Sequence, residues 1–268
     1  MANRTGDFIW YELMTTDHAA ARTFYGSVVG WTIAENPDPD AAGVDYRMIM
    51  RTDGGMAGGV LTLTAEMCDG GARPCWIGYV HVPDVDATAQ AIAQAGGEVL
   101  MPPSTMERVG RMAFVADPQG APFYIFDPVP PPDDPEATSD AFSVDQPQHV
   151  RWNELNAAEL DPALAFYCGL FGWQVEGEMD MGPLGPYRFL RNGEVMIGAG
   201  MRMVPEQPQP AWIFYIGVDD IDRAFVAAVS GGATVLAEPM EIPGGEFSTT
   251  CIDPQGAVFG LVGPRKGS

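Results

Sequence analysis

Trp10 and Glu12 stand two residues apart, and so do Trp152 and Glu154. Residues two apart on a strand share a face, so each pair turns an indole and a carboxylate the same way. A carboxylate beside an aromatic wall on an inward face needs solvent, a hydrogen bond or a charge partner. Otherwise its pKa rises and it becomes a candidate general acid or base. Glu12 and Glu154 are therefore the candidate catalytic residues. Their structural alternative is as acceptors for a tyrosine hydroxyl, with Tyr79 or Tyr215 as the donor. The same alternation aligns Ile77, Tyr79 and His81 on one face. Trp10, Tyr79, His81, Tyr124, Trp152, Tyr215 and Gly260 make up the candidate ligand-binding set, since aromatic walls with a few polar groups are the usual lining of a small-molecule pocket.

The elements that carry these residues are written twice. Ile9-Trp10-Tyr11-Glu12-Leu13, Phe24-Tyr25 and Gly30-Trp31 return as Arg151-Trp152-Asn153-Glu154-Leu155, Phe166-Tyr167 and Gly172-Trp173, at the offset of 142 that separates Trp10 from Trp152. From Trp76-Ile77 to Trp212-Ile213, and from Asp117-Pro118-Gln119-Gly120 to Asp253-Pro254-Gln255-Gly256, the offset is 136. Such agreement across aromatics, glycines and acids marks a tandem duplication. The first copy spans residues 6–127 and the second 149–264. Between them, residues 128–148 hold six prolines and no basic residue, a composition that predicts an extended linker without ladder or helix.

Each copy divides again. Asp17 is placed to cap a helix with Ala20, Ala21, Phe24, Tyr25 and Val28 on one face, and Asp161-Pro162 is read as the matching helix start in the second copy. A helix after Asp84 and Asp86 ends at Gly96-Gly97, and its counterpart runs from Asp222 to Val229 before Gly231-Gly232. β-prone runs precede and follow each helix, among them Phe8 to Met14, Tyr46 to Met50, Val60 to Thr64, Trp76 to Val82, Met112 to Ala116 and Pro122 to Phe126. The expected fold is α+β, a βαβββ unit repeated four times. Trp31, Trp173, Phe24 and Phe166 are expected in the core between helix and sheet.

Composition narrows the function classes. Thirty-six acidic against 14 basic residues give a net charge of −22, which disfavours nucleic acid as a partner because a phosphate backbone requires clustered Lys and Arg. No apolar run reaches the roughly 20 residues of a membrane span, and the first residues do not read as a signal peptide, so a cytoplasmic protein is expected. Cys68, Cys75, Cys168 and Cys251 show no Cys-x-x-Cys spacing and are expected as free thiols. Four modules in one chain make a monomer sufficient for folding and leave room for a homodimer.

The order of these pieces resembles the vicinal oxygen chelate superfamily, which includes glyoxalase I, the bleomycin-resistance proteins and the extradiol dioxygenases. The resemblance rests on the helix openings Asp17 to Tyr25 and Glu159 to Tyr167, Gly30-Trp31 and Gly172-Trp173, the helix ends Ala95-Gly96-Gly97 and Ser230-Gly231-Gly232, and the two Asp-Pro-Gln-Gly turns. The Trp-x-Glu-Leu start is similar to a two-domain subgroup that includes mycobacterial culture-filtrate antigens and proteins labelled hydroxylases. It implies cavity-bearing sheets and a divalent metal held by His and Glu or Gln from first and last strands. Mapped here, those places hold Trp10 and Trp152, Ile77 and Ile213, Tyr124 and Gly260, and the stretches Gly59 to Leu61 and Gly198 to Met201. Indole, aliphatic side chains and glycine offer a metal no lone pair, so no metal and no cofactor is expected.

Three functional classes follow. The first is a protein that binds a small organic molecule in an aromatic, acidic cavity without metal. The second is a metal-free enzyme, hydroxylase- or isomerase-like, with Glu12 or Glu154 as acid–base group. The third is a metal-dependent lyase or dioxygenase with relocated ligands, for which His81, Glu12 and Tyr124 are the residues to recruit. Because Tyr124 is matched by Gly260, His81 by Gly217 and Tyr11 by Asn153, the cavity that includes Gly260 is expected to be the roomier.

Overall fold

In a computed structural model of the chain, the described residues are 3–41, 43–132, 134, 136–204 and 209–267. The first module runs β1 (Phe8–Thr15), α1 (His18–Val28), β2 (Thr32–Ile33), β3 (Tyr46–Met50) and β4 (Met56–Thr62), and a short helix α2 (Ala65–Asp69) follows it. The second runs β5 (Cys75–His81), α3 (Val85–Gln94), β6 (Glu98–Met106), β7 (Gly110–Ala116) and β8 (Pro122–Pro128). In the second copy the third module is β9 (Val150–Ala157), α4 (Leu160–Phe171), β10 (Gln174–Asp180), β11 (Pro186–Asn192) and β12 (Val195–Arg202). The fourth is β13 (Ala211–Gly217), α5 (Ile221–Ser230), β14 (Thr234–Glu241), β15 (Phe247–Ile252) and β16 (Val258–Gly263). The βαβββ unit thus occurs four times, in two eight-stranded mixed sheets of order β2-β3-β4-β1-β5-β8-β7-β6 and β10-β11-β12-β9-β13-β16-β15-β14. The fold is α+β.

Local chemistry sets the helix ends. Asp17 accepts from the backbone N–H groups of Ala19 and Ala20 at 3.0 and 2.9 Å, and Asp84 from Ala87 at 2.9 Å, so two of the four orphan donors at the start of α1 and one at the start of α3 are satisfied. Gly172 closes α4 at φ +71°, a left-handed conformation that a side chain would resist. The start of α4 departs from the sequence reading. Leu160 already begins the helix, Glu159 sits at the cap position without a side-chain hydrogen bond, and Pro162 is the third helical residue. Asp161 is instead an ion-pair partner of Arg188. The linker carries one pairing the sequence did not suggest, an isolated parallel bridge from Phe142 to Val150. Its residues 133 and 135 lie outside the described residues.

The chain divides into two compact units, and neither is a copy. One unit comprises Met1–Ile9, Ile77–Ser139 and Trp152–Trp212; the other comprises Trp10–Trp76, Asp140–Arg151 and Ile213–Ser268. Each unit therefore draws one module from each copy. In the second-named unit α1 packs on α5, and Tyr25 meets Trp31, Trp76 and Phe259 at ring-centroid distances of 6.0, 5.5 and 5.5 Å. In the first-named unit Tyr167 stacks on Trp173 at 5.7 Å and meets Trp212 edge-on at 5.2 Å. Trp31, Trp173, Phe24 and Phe166 are all buried, as their place between helix and sheet requires.

The Asp-Pro-Gln-Gly turns do more than reverse the chain. Within one unit, Asp253 accepts the Tyr25 hydroxyl at 2.9 Å, and that hydroxyl accepts Trp76 Nε1–H at 2.9 Å. The other unit repeats the arrangement, with Tyr167 donating to Asp117 at 3.2 Å and accepting from Trp212 at 3.0 Å. The second oxygen of each Asp takes turn backbone N–H groups, Gln119 and Ala121 for Asp117, and Gln255, Gly256 and Ala257 for Asp253. Burial pushes both carboxyls above the usual Asp range, and the backbone donors oppose that shift. Burial also raises both tyrosines well above the ordinary phenol value.

Candidate functional site

The clearest polar constellation on a sheet face lies on β9 and β11. Trp152 Nε1 donates to the Tyr187 hydroxyl at 2.7 Å, and that hydroxyl donates to Glu154 Oε2 at 2.8 Å. Asn156 Nδ2 holds the other carboxylate oxygen, Oε1, at 2.9 Å. Alternation explains the convergence: Trp152, Glu154 and Asn156 are successive residues of one face, and Tyr187 enters from the neighbouring hairpin. Phe189, two residues on from Tyr187, meets Trp152 at 6.1 Å and Tyr187 at 5.8 Å, both edge-on. The three rings are half-buried, while Glu154 is 7% exposed. The result is an aromatic corner around a fixed carboxylate.

The equivalent place in the first copy is built differently. Trp10 Nε1 donates to the Tyr46 hydroxyl at 2.6 Å, so the indole–phenol pair is kept. Glu12 pairs in register with Gly59, and a Cβ at Gly59 would stand 2.2 Å from the Tyr46 ring, so that ring lies where a side chain would be. Met14 occupies the position of Asn156 and supplies no donor. Burial, with the Glu12 carboxylate as the second cause, pushes the Cys75 thiol up to about 12.

Tyr46 and Tyr187 were missed in the sequence reading, which offered Tyr79 or Tyr215 as partners for the carboxylates. The structure gives Glu154 to Tyr187, and Tyr215 instead lies 3.1 Å from Thr250 Oγ1. The signal was present, since Tyr46-Arg47 returns as Tyr187-Arg188. Tyr79 and Tyr124 are partners in register on β5 and β8 and stack at 4.3 Å, with Phe114 at 4.7 Å from Tyr124. His81 Nδ1 lies 3.1 Å from the carbonyl oxygen of Arg4, and the His81 backbone bonds Gly6 and Asp7. His81 therefore ties residues 4–7 to the end of β5.

The expected roominess beside Gly260 is corrected. A Cβ there would meet the Tyr215 ring at 2.3 Å, and one at Gly217 would meet the Arg151 side chain at 2.5 Å. Both glycines seat neighbouring side chains of the protein itself. Tyr11 and Asn153 are likewise not cavity walls. Tyr11 packs edge-on against Phe214 at 5.1 Å, and Asn153 Nδ2 donates to the Ile197 carbonyl at 2.6 Å, both in the core.

A duplicated βαβββ chain with mixed sheets and polar groups on strand faces defines the class of paired-module proteins to which metal-chelating enzymes belong. The sequence profile of the Glyoxalase/Bleomycin resistance protein/Dioxygenase superfamily matches residues 8–125 and 146–261, and the chain belongs to that superfamily. It is 35% identical over 269 aligned positions to CFP32 of Mycobacterium tuberculosis, a protein provisionally named a glyoxylase, covering 97% of this chain and 96% of that one. It is 28% identical to the anthracycline biosynthesis protein DnrV of Streptomyces peucetius, covering 96% and 93%. Among solved structures, the Mn(II)-bound glyoxalase from Novosphingobium aromaticivorans superposes with a TM-score of 0.64 at 15% identity, covering 98% of this chain and 83% of that one. The 2,2',3-trihydroxybiphenyl 1,2-dioxygenase of Sphingomonas wittichii gives 0.64 at 12% identity, covering 97% and 90%. These last two likenesses concern the fold.

The metal that the superfamily implies does not fit the residues present. Trp10 and Trp152 spend their N–H groups on tyrosines, and indole has no lone pair to offer. The Tyr46 ring lies against Gly59, the Tyr215 ring lies against Gly260, and Tyr124 stacks on Tyr79. Among the described residues, no group of three or more His, Cys, Asp or Glu is arranged to hold a metal ion. No helix among them is long and apolar enough to cross a membrane.

Proposed function

We propose that this chain binds a small organic molecule through aromatic and hydrogen-bonding contacts that need no metal. The observation that carries the reading is the chain of contacts from Trp152 through Tyr187 to Glu154 and Asn156, flanked by Phe189. An aromatic corner with a positioned acceptor is the makeup of a site that orients a flat ligand. DnrV is named for anthracycline biosynthesis and CFP32 as a glyoxylase, and both names support a small-molecule ligand. Trp10, Glu12, Tyr79, His81, Tyr124, Tyr215 and Gly260 belong to this proposal as surroundings to be tested beside Trp152 and Glu154.

A second reading rests on the 2.8 Å contact between Tyr187 and Glu154. A carboxylate at that distance can take the phenolic proton while the phenol takes one from a bound molecule, which is metal-free general-base chemistry. Titration of a panel of flat hydroxylated aromatics, followed by tryptophan fluorescence, separates these readings from the metal-dependent one. Saturable quenching that survives EDTA and is lost in Trp152→Ala is expected. Absence of saturable binding across the panel, or binding that EDTA abolishes, would overturn the proposal. Turnover of any bound compound, lost in Glu154→Gln, would select the second reading.

A further inference from the structure

The two copies carry the same Trp-x-Glu motif and the same indole–phenol contact, yet other side chains around the motif differ. In the second copy both oxygens of Glu154 are held, one by the Tyr187 hydroxyl and one by the Asn156 amide, so its orientation is fixed. In the first copy Met14 replaces Asn156, Met48 replaces Phe189, and Gly59 replaces Ala199. The last change matters most for space. The absence of a side chain at Gly59 lets the Tyr46 ring lie on the strand itself, and Ala199 carries a methyl group at the matching register position, opposite Glu154. The other aromatic residues singled out in the first copy, Tyr79 and Tyr124, are stacked on each other at 4.3 Å and are 5% and 7% exposed, so the ring face of each is already covered by a ring.

From this we infer that the chain has one ligand-receiving face rather than two, on β9 and β11, for a planar aromatic bearing a hydroxyl, and that Asn156 is the positioning residue that sets it apart. The inference rests on the proposed function and adds stoichiometry, ligand chemistry and a residue to it. Both oxygens of Glu154 already act as acceptors, so the group that Glu154 recognises must be a donor. Three half-buried rings at one corner favour a flat partner, for which stacked or edge-on contacts add to area burial. A hydroxyl on an aromatic ring joins the two requirements in one rigid molecule and loses little entropy on binding.

The test is calorimetric titration of the full chain with a naphthalenediol and with its dimethyl ether, which keeps the ring and lacks the donor. One equivalent per chain is expected, with the ether weaker by about tenfold, the loss expected for one hydrogen bond to a charged acceptor. Asn156→Met and Tyr187→Phe should each weaken the diol by roughly tenfold, whereas Tyr46→Phe should change it by less than about twofold. Circular dichroism establishes that each variant folds. If Asn156→Met does not fold, Tyr187→Phe and the diol–ether comparison decide alone. Two equivalents per chain, equal sensitivity to Tyr46→Phe, or equal affinity for diol and ether would overturn the inference while leaving the proposed function in place. A cationic naphthylmethylamine bound more tightly than the diol would overturn the choice of hydroxyl. If neither diol nor ether binds and the aromatic panel also fails, the proposed function falls and this inference falls with it.

Discussion

Replacing Tyr25 by Phe removes one oxygen atom and disturbs three buried groups. The Tyr25 hydroxyl accepts from Trp76 Nε1 and donates to Asp253 at 2.9 Å each, and both tyrosine and aspartate are essentially buried. The variant leaves an indole N–H and a carboxylate oxygen facing a hydrocarbon edge. At about 1–3 kcal/mol for each buried group left unpaired, the expected loss at neutral pH is about 3 kcal/mol. For a chain of this size that is a fall of roughly 6–12 °C in Tm. The loss should also depend on pH. Burial raises the Asp253 pKa in the folded protein, so its contribution to stability is fully present below the unfolded value and lost as pH rises through the folded one. The Tyr25 hydrogen bond opposes that shift, and removing it raises the folded pKa further. Wild type and variant should therefore differ most at neutral pH, where the carboxylate is ionised, and least in the acid range, where both are protonated. Urea unfolding of the two proteins from neutral pH down through the acid range measures this. A loss under about 0.5 kcal/mol, or one that grows on acidification, would refute the reasoning.

Three further outcomes follow. Gly260→Ala should destabilise by about 1–3 kcal/mol, because its Cβ would enter the Tyr215 ring, and a second change, Tyr215→Ala, should relieve the strain; a neutral Gly260→Ala in urea unfolding would remove the seat assigned to that glycine. Cys75, whose thiol is pushed up to about 12, should resist iodoacetamide at pH 8 in the folded protein and react on unfolding, and mass spectrometry showing native labelling at Cys75 would contradict the raised thiol. Purified protein should carry far less than one equivalent of zinc, iron, nickel or manganese, and added metal should leave Tm unchanged. One tightly held equivalent, lost in Glu12→Ala, would show that other residues were recruited.

The four modules were legible because duplication preserves order: Trp10, Tyr25 and Trp31 recur at one offset and the Asp-Pro-Gln-Gly turn at another, in the same sequence, whatever the chain does in three dimensions. The Trp–Glu faces were legible because strand alternation has a period of two. Partners across strands were not. Tyr187 reaches Glu154 only through the register of β9, β12 and β11, where the pairing shifts between Leu190 and Arg191. The glycines misled for a related reason. Gly260 and Gly217 look like space in a one-dimensional comparison, whereas Tyr215 and Arg151 fill it in the folded chain. The role of Asp117 and Asp253 was hidden as well, since each answers a tyrosine from the other copy.

That exchange of modules has a consequence for the linker. Residues 128–148 read as the natural place to cut the protein into two domains, but each compact unit takes chain from both sides of any cut made there. A protease that nicks this stretch should produce two bands under denaturing conditions and a single species on a sizing column. The proline-rich segment should therefore govern how fast the halves find each other during folding, through the local concentration it imposes, far more than whether they remain together afterwards. Two genes encoding the halves separately would be expected to reconstitute the protein in a mixture.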